Sequence, residues 1–317
     1  MCDVTTRRTT AVSDVAIGIA LGVAADAVFA DPARWHPVAG MGHLAGALEK
    51  LTYRDRRGAG VGYVAVCVTG AAATGLVLQR GGAIAVGAAV WSTLGGTTLC
   101  RIGDRMADAL ERGDIEAARA LVPSLCGRDP AALDESGICR ATIESIAENT
   151  SDATVGPLVW AGLAGAPGVL AYRMVNTLDA MVGYRTPRYE RFGWASARLD
   201  DAVNLLPARL SGALAAVLGG RPRGALHAWR SDARRHPSPN AGVVEAAFAG
   251  SLDVTLGGTT VYPLHTEERP LLGSGRAPGV DDLRAAVALS RRVQYGAAAA
   301  VVGAVVGGRI LRRRMVD

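Results

Sequence analysis

Four groups of polar residues in this chain have the types and spacing for chemistry, and each abuts apolar sequence. The richest runs from Tyr172 to Arg209. Within it Asn176 and Asp179 stand at i and i+3, and Asp200 and Asn204 at i and i+4, so on a helix each pair shares a face. Asp201 and Arg209 recur on nearly the same face eight residues apart, and Tyr184 and Arg185 sit between the two halves. A buried polar group without a partner costs about 1–3 kcal/mol, so these side chains need partners. Salt bridges from Arg173, Arg198 and Arg209 to the aspartates would supply them without any function. A ligand would supply them too, and ionisable residues at membrane depth are by default candidates for a site.

The second group is Glu144, Glu148, Asn149 and Asp152, in a segment that reads as helix. Its carboxylates recur at i, i+4 and i+8, with Asn149 three residues before Asp152. Oxygen ligands grouped in this way suit Mg²⁺, which is held by one or two carboxylates together with substrate phosphate oxygens. The stripe runs directly into apolar sequence at Ala153, where unpaired carboxylates are costly. The third group, Asp26, Asp31 and His36, lies where the first apolar run ends. Pro32 and Pro37 are breakers there, and Pro37 suits the first position of a new helix with His36 as a capping residue. The fourth, His236, Ser238, Asn240 and Glu245, reads as a tight turn opening a helix near Gly242, with Ser238 or Asn240 as its cap. Helix N-termini attract anions, and Arg234 and Arg235 lie just upstream.

The elements that position these groups read as membrane helices. Half of the residues are apolar and only 20% are charged, a balance unusual for a soluble enzyme. A spanning helix needs roughly 20 apolar residues, and residues 11–30, 58–78, 81–100 and 294–311 provide that length. Small residues such as Gly70, Gly75, Gly303 and Gly307 would allow close helix contact in lipid. Residues 153–175 and 203–220 are apolar but carry Pro157, Pro167, Arg173, Pro207 and Arg209, which marks them as re-entrant or protein-buried helices. The chain thus reads as one all-α, polytopic membrane domain over residues 1–317, with residues 221–293 as a polar region. With four spans, every long polar segment falls on one side, which the positive-inside rule makes cytoplasmic. The location is then a plasma membrane crossed several times, with the polar site facing the cytoplasm.

The net charge of +5 is spread along the chain rather than gathered in the strong patch of a nucleic-acid binder. It suits anionic lipid headgroups or phosphorylated substrates. The five cysteines are scattered without a C-x-x-C pair, so no disulfide framework, zinc site or haem is expected. Thr6-Arg7-Arg8-Thr9 before an apolar run resembles a twin-arginine signal, but Asp14 and Asp26 interrupt that run and an uncleaved first span fits better. There is no Walker-A loop and no G-x-G-x-x-G opening a helix after a strand, so a nucleotide would need an unfamiliar pocket.

The stretches DPARWHPVAGMG, SIAENTSDATVGPLVWAGLAGAPGVLAYRMVNTLDAMVGY, FGWASARLDDAVNLLPARL and SPNAGVVEAAFAGSLDVTLGG resemble the CobD/CbiB family of cobalamin biosynthesis. The resemblance extends from near Asp26 to about Gly258 and is poorest after Tyr262. It implies an ATP- and Mg²⁺-dependent amide ligation that joins adenosylcobyric acid to an aminopropanol arm, usually its O-phosphate, giving adenosylcobinamide phosphate. The implied partners are the corrinoid, the amino-alcohol phosphate and membrane lipids, with a homo-oligomer or a pathway complex left open. On this reading Glu148, Asp152, Asp200 and Asp201 hold Mg²⁺ and do base work together with Asp179. Arg185 and Arg209 hold phosphate. Asn149, Asn176, Asn204 and Asn240 orient substrate amides, and Asp31, His36, Tyr184, Ser238 and Glu245 complete the substrate site. Two rivals remain. An intramembrane prenyltransferase is suggested by Asn176-Thr-Leu-Asp179 and Asp200-Asp201-x-x-Asn204, which resemble Asp-rich diphosphate motifs. A transporter would use broken helices with a midplane ion site, but its polar residues should lie mid-span within repeated halves.

Overall fold

A computed structural model describes residues 2–31, 36–184, 186–263 and 265–314, with side chains described from residue 13 to residue 311 within those ranges. Helices account for most of the chain. In order they are α1 (Cys2–Phe29), α2 (Pro37–Thr52), α3 (Arg57–Gln79), α4 (Gly82–Trp91), α5 (Gly96–Glu111), α6 (Ile115–Leu121), α7 (Glu135–Thr150) and α8 (Gly156–Val182). There follow α9 (Trp194–Val203), α10 (Leu205–Leu218), α11 (Pro222–Asp232) and α12 (Ala241–Leu252), then strands β1 (Leu256–Val261) and β2 (Thr266–Leu272), and finally α13 (Val280–Arg314).

Four stretches are long and apolar enough to cross a membrane: Arg57–Gln79, Gly82–Glu111, Glu135–Val182 and Val280–Leu311. A fifth exists if Trp194–Val203 and Leu205–Leu218 count as one broken span. Helix α3 matches the expected span at 58–78, whereas α1 runs through most of the expected span at 11–30 but is not among the described stretches long and apolar enough to cross. The expected span at 81–100 lies within the spanning stretch Gly82–Glu111, which turns between the end of α4 at Trp91 and the start of α5 at Gly96. Ser92 and Thr93 cause the stop locally, since their hydroxyls donate to the carbonyls of Ala89 and Val90 and compete with helix continuation. The expected span at 294–311 begins earlier, at Val280. Residues 153–175 fall in a long helical stretch whose most apolar window is 72% buried inside the protein, against 22% for α3 and for α13. That burial matches a protein-packed helix better than one facing lipid.

The chain divides into two compact units. Unit 1 comprises Met1–Gly95, Gly156–Asn204 and Ala298–Asp317. In it α1 lies against α4, and a Cβ added at Gly18 or Gly22 would meet Val86 or Val90 at 2.6 Å, so only glycine permits this approach. The pairs singled out from sequence behave differently: Gly75 of α3 packs on Pro167 of α8, while nothing lies within 4 Å of a Cβ at Gly70, Gly303 or Gly307 among the described residues. Helix α8 is kinked at Gly165, where φ is 65° and ψ −149°. A kink frees backbone donors, and here the Ala166 N–H donates to Gln79 Oε1 at 2.8 Å.

Unit 2 comprises Gly96–Val155 and Leu205–Ala297. Its centre is α12, buried along nearly its whole length, with α10 and α11 packed on it. The region expected to be a polar segment, residues 221–293, therefore contains a buried apolar helix. It also contains the antiparallel hairpin β1–β2, so the described chain is mostly helical rather than all-α. A π-helical turn, Ser151–Val155, follows α7.

Candidate functional site

In unit 1, α8 and α9 bring together residues that are distant in sequence. The Tyr172 hydroxyl donates to Asn204 Oδ1 at 2.7 Å, and Asn204 Nδ2 donates to Asp200 Oδ2 at 3.0 Å. Asn204 is buried, so its amide orientation is fixed by a donor on one side and an acceptor on the other. Asn176 also hydrogen-bonds Asp200, and Asp179 and Asp201 lie within electrostatic reach of it. Arg173 Nη1 donates to Asn176 Oδ1 at 3.3 Å, and Arg198 approaches Asp201 at 4.0 Å. Two carboxylates therefore flank one amide-held aspartate, whose Oδ1 is buried without a hydrogen-bond partner among the described residues. Gly183 makes room for this: a Cβ there would sit 1.9 Å from Asp179 Oδ1.

Other expected members of unit 1 serve nearer ends. His36 caps α2 by accepting the Val38 N–H at Nδ1, 3.1 Å away, and its Nε2 lies 3.7 Å from Asp31 Oδ1. Tyr184 is exposed. Arg185 and Pro32 lie outside the described residues.

In unit 2 a second polar cluster forms from separate parts of the chain. Arg128 and Glu144 make a buried ion pair, and the remaining Glu144 oxygen accepts the Gly257 N–H at 2.7 Å. Gly257, at φ 82°, tolerates the left-handed backbone at the bulge that presents this N–H. Glu148 lies one turn along from Glu144 and is solvent-exposed, although residues 145–147 and 150–151 around it are buried. Arg128 and Arg269 are within electrostatic reach of it.

Glu245, on the buried face of α12, lies 3.8 Å from His236 Nε2. Burial pushes its carboxyl well above the usual carboxylate range, and Glu144 and Glu148 push it further while Arg269 and Arg128 oppose. Burial likewise lowers the His236 imidazole below its ordinary value. His236 Nδ1 lies 3.1 Å from the Ser238 amide nitrogen and 3.2 Å from the Ser238 carbonyl, which holds the ring in place beside Glu245. At neutral pH the two are therefore a neutral pair rather than a salt bridge.

Ser238 caps α12, its Oγ accepting the Ala241 N–H at 3.1 Å. Asn240 accepts from Arg209 Nη1 at 2.6 Å, so Arg209 already has an internal partner. Asn149 turns back on its own helix to donate to the Ser145 carbonyl at 2.9 Å. Asp152 sits in the π turn, which shifts it out of the regular register of Glu144 and Glu148. Of the four carboxylates assigned to Mg²⁺, Asp200 and Asp201 belong to unit 1 and Glu148 and Asp152 to unit 2. Among the described residues no three His, Cys, Asp or Glu side chains form a ready metal cage. Sequence reasoning missed Arg128 and Arg269 altogether. Arg128 sits in a loop and Arg269 on β2, and neither carries a local spacing signal.

Helices long and apolar enough to cross a membrane, together with buried carboxylates, define a mostly helical protein of a kind consistent with a membrane protein. The chain belongs to the CobD/CbiB family: the family model described as "CobD/Cbib protein" matches residues 19–290. That match includes the segment after Tyr262. A "Cobalamin biosynthesis protein CobD" from Mycobacterium tuberculosis is 56% identical over 296 residues, covering 90% of this chain and 95% of the relative. Relatives of the same description from Geobacter metallireducens and Chromobacterium violaceum are 44% and 39% identical, covering 80% and 93% of this chain and 85% and 98% of their own lengths. No solved structure matches.

Proposed function

We propose that this protein acts in cobalamin biosynthesis as an amide-forming ligase of the plasma membrane. It would join adenosylcobyric acid to an aminopropanol, as its O-phosphate, at the expense of ATP. Supporting the pathway are relatives described as cobalamin biosynthesis proteins over most of the chain. Supporting the chemistry is one observation above the rest, the half-buried Asp200 held by Asn204 and set beside Asp179 and Asp201.

Amide formation requires that a carboxylate gain a leaving group and that the attacking amine lose a proton. Asp200 is placed for the second task. Its Oδ2 is oriented by Asn204, itself fixed by Tyr172, and a carboxylate with one oxygen unengaged can accept a proton from an amine brought within hydrogen-bond reach. The neighbours of Asp200 also fit Mg²⁺: Asp179 and Asp201 are hard oxygen donors beside it. When bound, Mg²⁺ would neutralise charge on a transferring phosphoryl group. Asn204, buried and bonded to both Tyr172 and Asp200, serves to orient this carboxylate. Within unit 2 itself, Arg209, braced by Asn240, carries a cation suited to phosphate. On this reading the polar groups face the cytoplasm, where ATP is found.

The test is ATP- and Mg²⁺-dependent joining of 1-amino-2-propanol O-2-phosphate to adenosylcobyric acid by the purified protein, followed as adenosylcobinamide phosphate. Product from the wild type and none from Asp200→Ala at normal expression is the expected result. Full activity in both Asp200→Ala and Asp201→Ala would remove that pair from the mechanism. Solute uptake without ligation would replace the enzyme by a transporter.

A further inference from the structure

We infer that Arg128 and Arg269 form an oxyanion-binding recess within unit 2, reached past Glu148, that takes the phosphate group of a small ligand. Arg128 is 6% exposed, and its Nη1 has no hydrogen-bond partner among the described residues although its Nη2 is paired with Glu144. The Arg269 Nε is likewise buried without one; its nearest carboxylate, Glu267, is 3.8 Å away, beyond hydrogen-bond range. An unmet donor on a buried charge is costlier than one on a neutral group, and the two guanidiniums are related through the hairpin: Arg269 pairs across strands with Gly258, next to the Gly257 whose N–H binds Glu144, the ion-pair partner of Arg128. Both lie within electrostatic reach of Glu148, Glu245 and the Tyr262 hydroxyl.

The local carboxylates do not meet that need. Both oxygens of Glu144 are engaged, one by Arg128 Nη2 and one by the Gly257 N–H. Glu245 faces His236. Glu148 alone is open to solvent among buried neighbours, which marks where a ligand enters. Planar guanidiniums with spare N–H groups match tetrahedral oxyanions, which accept two hydrogen bonds from each fork. Glu148 at the mouth supplies an acceptor for an N–H or O–H carried beside the phosphate. The inference extends the ligase reading, since that reaction has two phosphate-bearing substrates, but phosphate binding can be measured without turnover.

The experiment is binding of radiolabelled inorganic phosphate to the full chain in lipid nanodiscs, without ATP or corrinoid. Wild-type protein is expected to bind phosphate saturably, and Arg269→Gln to weaken binding at least about 10-fold, the exposed Arg223→Gln serving as control. Because Arg128→Gln strands Glu144 and can unfold the protein, Arg269→Gln carries the test, with Glu148→Gln, which leaves the ion pair intact, as a second probe of the entrance. Competition by 1-amino-2-propanol O-2-phosphate and not by ATP would assign the recess to a phosphomonoester; the reverse would assign it to a nucleotide. Either supports the proposal. No saturable binding, equal binding by Arg269→Gln, or binding that neither competitor displaces, an adventitious ion only, would overturn it. Phosphate binding with no ligation would leave the recess standing and dismiss the ligase.

Discussion

The two polar clusters differ in how the chain builds them. In unit 1 the members come from two helices, with Tyr172, Asn176 and Asp179 on α8 and Asp200 and Asn204 at the end of α9, and they are linked mostly by neutral amide and hydroxyl hydrogen bonds. In unit 2 Arg128, Glu144, Glu148, His236, Glu245 and Arg269 come from a loop, three elements and a turn, and the dominant link is a buried ion pair. The first arrangement holds one carboxylate in a defined orientation while leaving an oxygen for chemistry. The second concentrates charge of both signs and leaves donors for a ligand. On the reading proposed above, the difference would suit one place to moving a proton and the other to holding an anion.

The largest effect that separates them should come from Asp200. If unit 1 does the proton transfer, Asp200→Ala lowers kcat by about 10²–10⁴-fold with little change in thermal stability, as measured by ligation assay and melting in detergent. A comparable loss from a unit 2 variant that still folds would break the division of labour. Next in size is the ion pair. Arg128→Ala leaves Glu144 buried and unpaired, and should destabilise the protein by about 3–5 kcal/mol. Equilibrium unfolding checks this, and a change below about 1 kcal/mol would mean that water reaches Glu144.

A smaller effect is expected at Tyr172→Phe, which deletes the donor to Asn204 Oδ1. Stability should fall by about 1–3 kcal/mol, and kcat should fall with it because Asn204 then loses the contact that orients it towards Asp200. Restored kcat with the stability loss retained would show that Asn204 is fixed without Tyr172. The smallest is a change of slope. Glu245 keeps its proton in the folded state to a pH above its ordinary value of 4.5. Between that value and the raised one the folded protein binds more protons than the unfolded chain, so this group's contribution to stability falls as pH rises. Glu245→Gln should remove that decline in melting temperature above about pH 4.5. His236 acts with the opposite sign: its folded value lies below 6.5, so its contribution is lost as pH falls through 6.5 towards the lowered value. A melting profile for Glu245→Gln parallel to that of the wild type would mean that the carboxyl ionises freely.

Legibility in the sequence followed the same divide. Asp200–Asn204 and Asn176–Asp179 were visible because helical spacing alone puts i, i+3 and i+4 on one face. His36 as a cap of α2 and Ser238 as a cap of α12 were visible for a similar reason, being local to the turn they serve. Glu144, Glu148 and Asp152 were read as one stripe, but the π turn at Ser151–Val155 breaks its regularity, and Glu144 is spent on Arg128. Arg209 was read as a phosphate ligand, and its bond to Asn240, thirty-one residues away, was not visible. Nor was the stop after Trp91, since an apolar run does not reveal whether two hydroxyls at its centre will turn back on the helix.

By itself, then, the sequence determined most of the apolar helices, the interruption marked by Pro167, and the pairing of polar residues within a turn or two, because each depends on forces acting over a few residues. Family membership was legible as well, since whole motifs survive in order along the chain. Only the tertiary structure decided which carboxylates are spent on internal partners and which remain for a ligand. That outcome rests on long-range contacts: Arg128 with Glu144, Glu144 with Gly257, His236 with Glu245, and Asp200 with Asn176. Burial sets the cost of leaving any one of them unpaired, and burial is a property of packed elements that no local spacing contains.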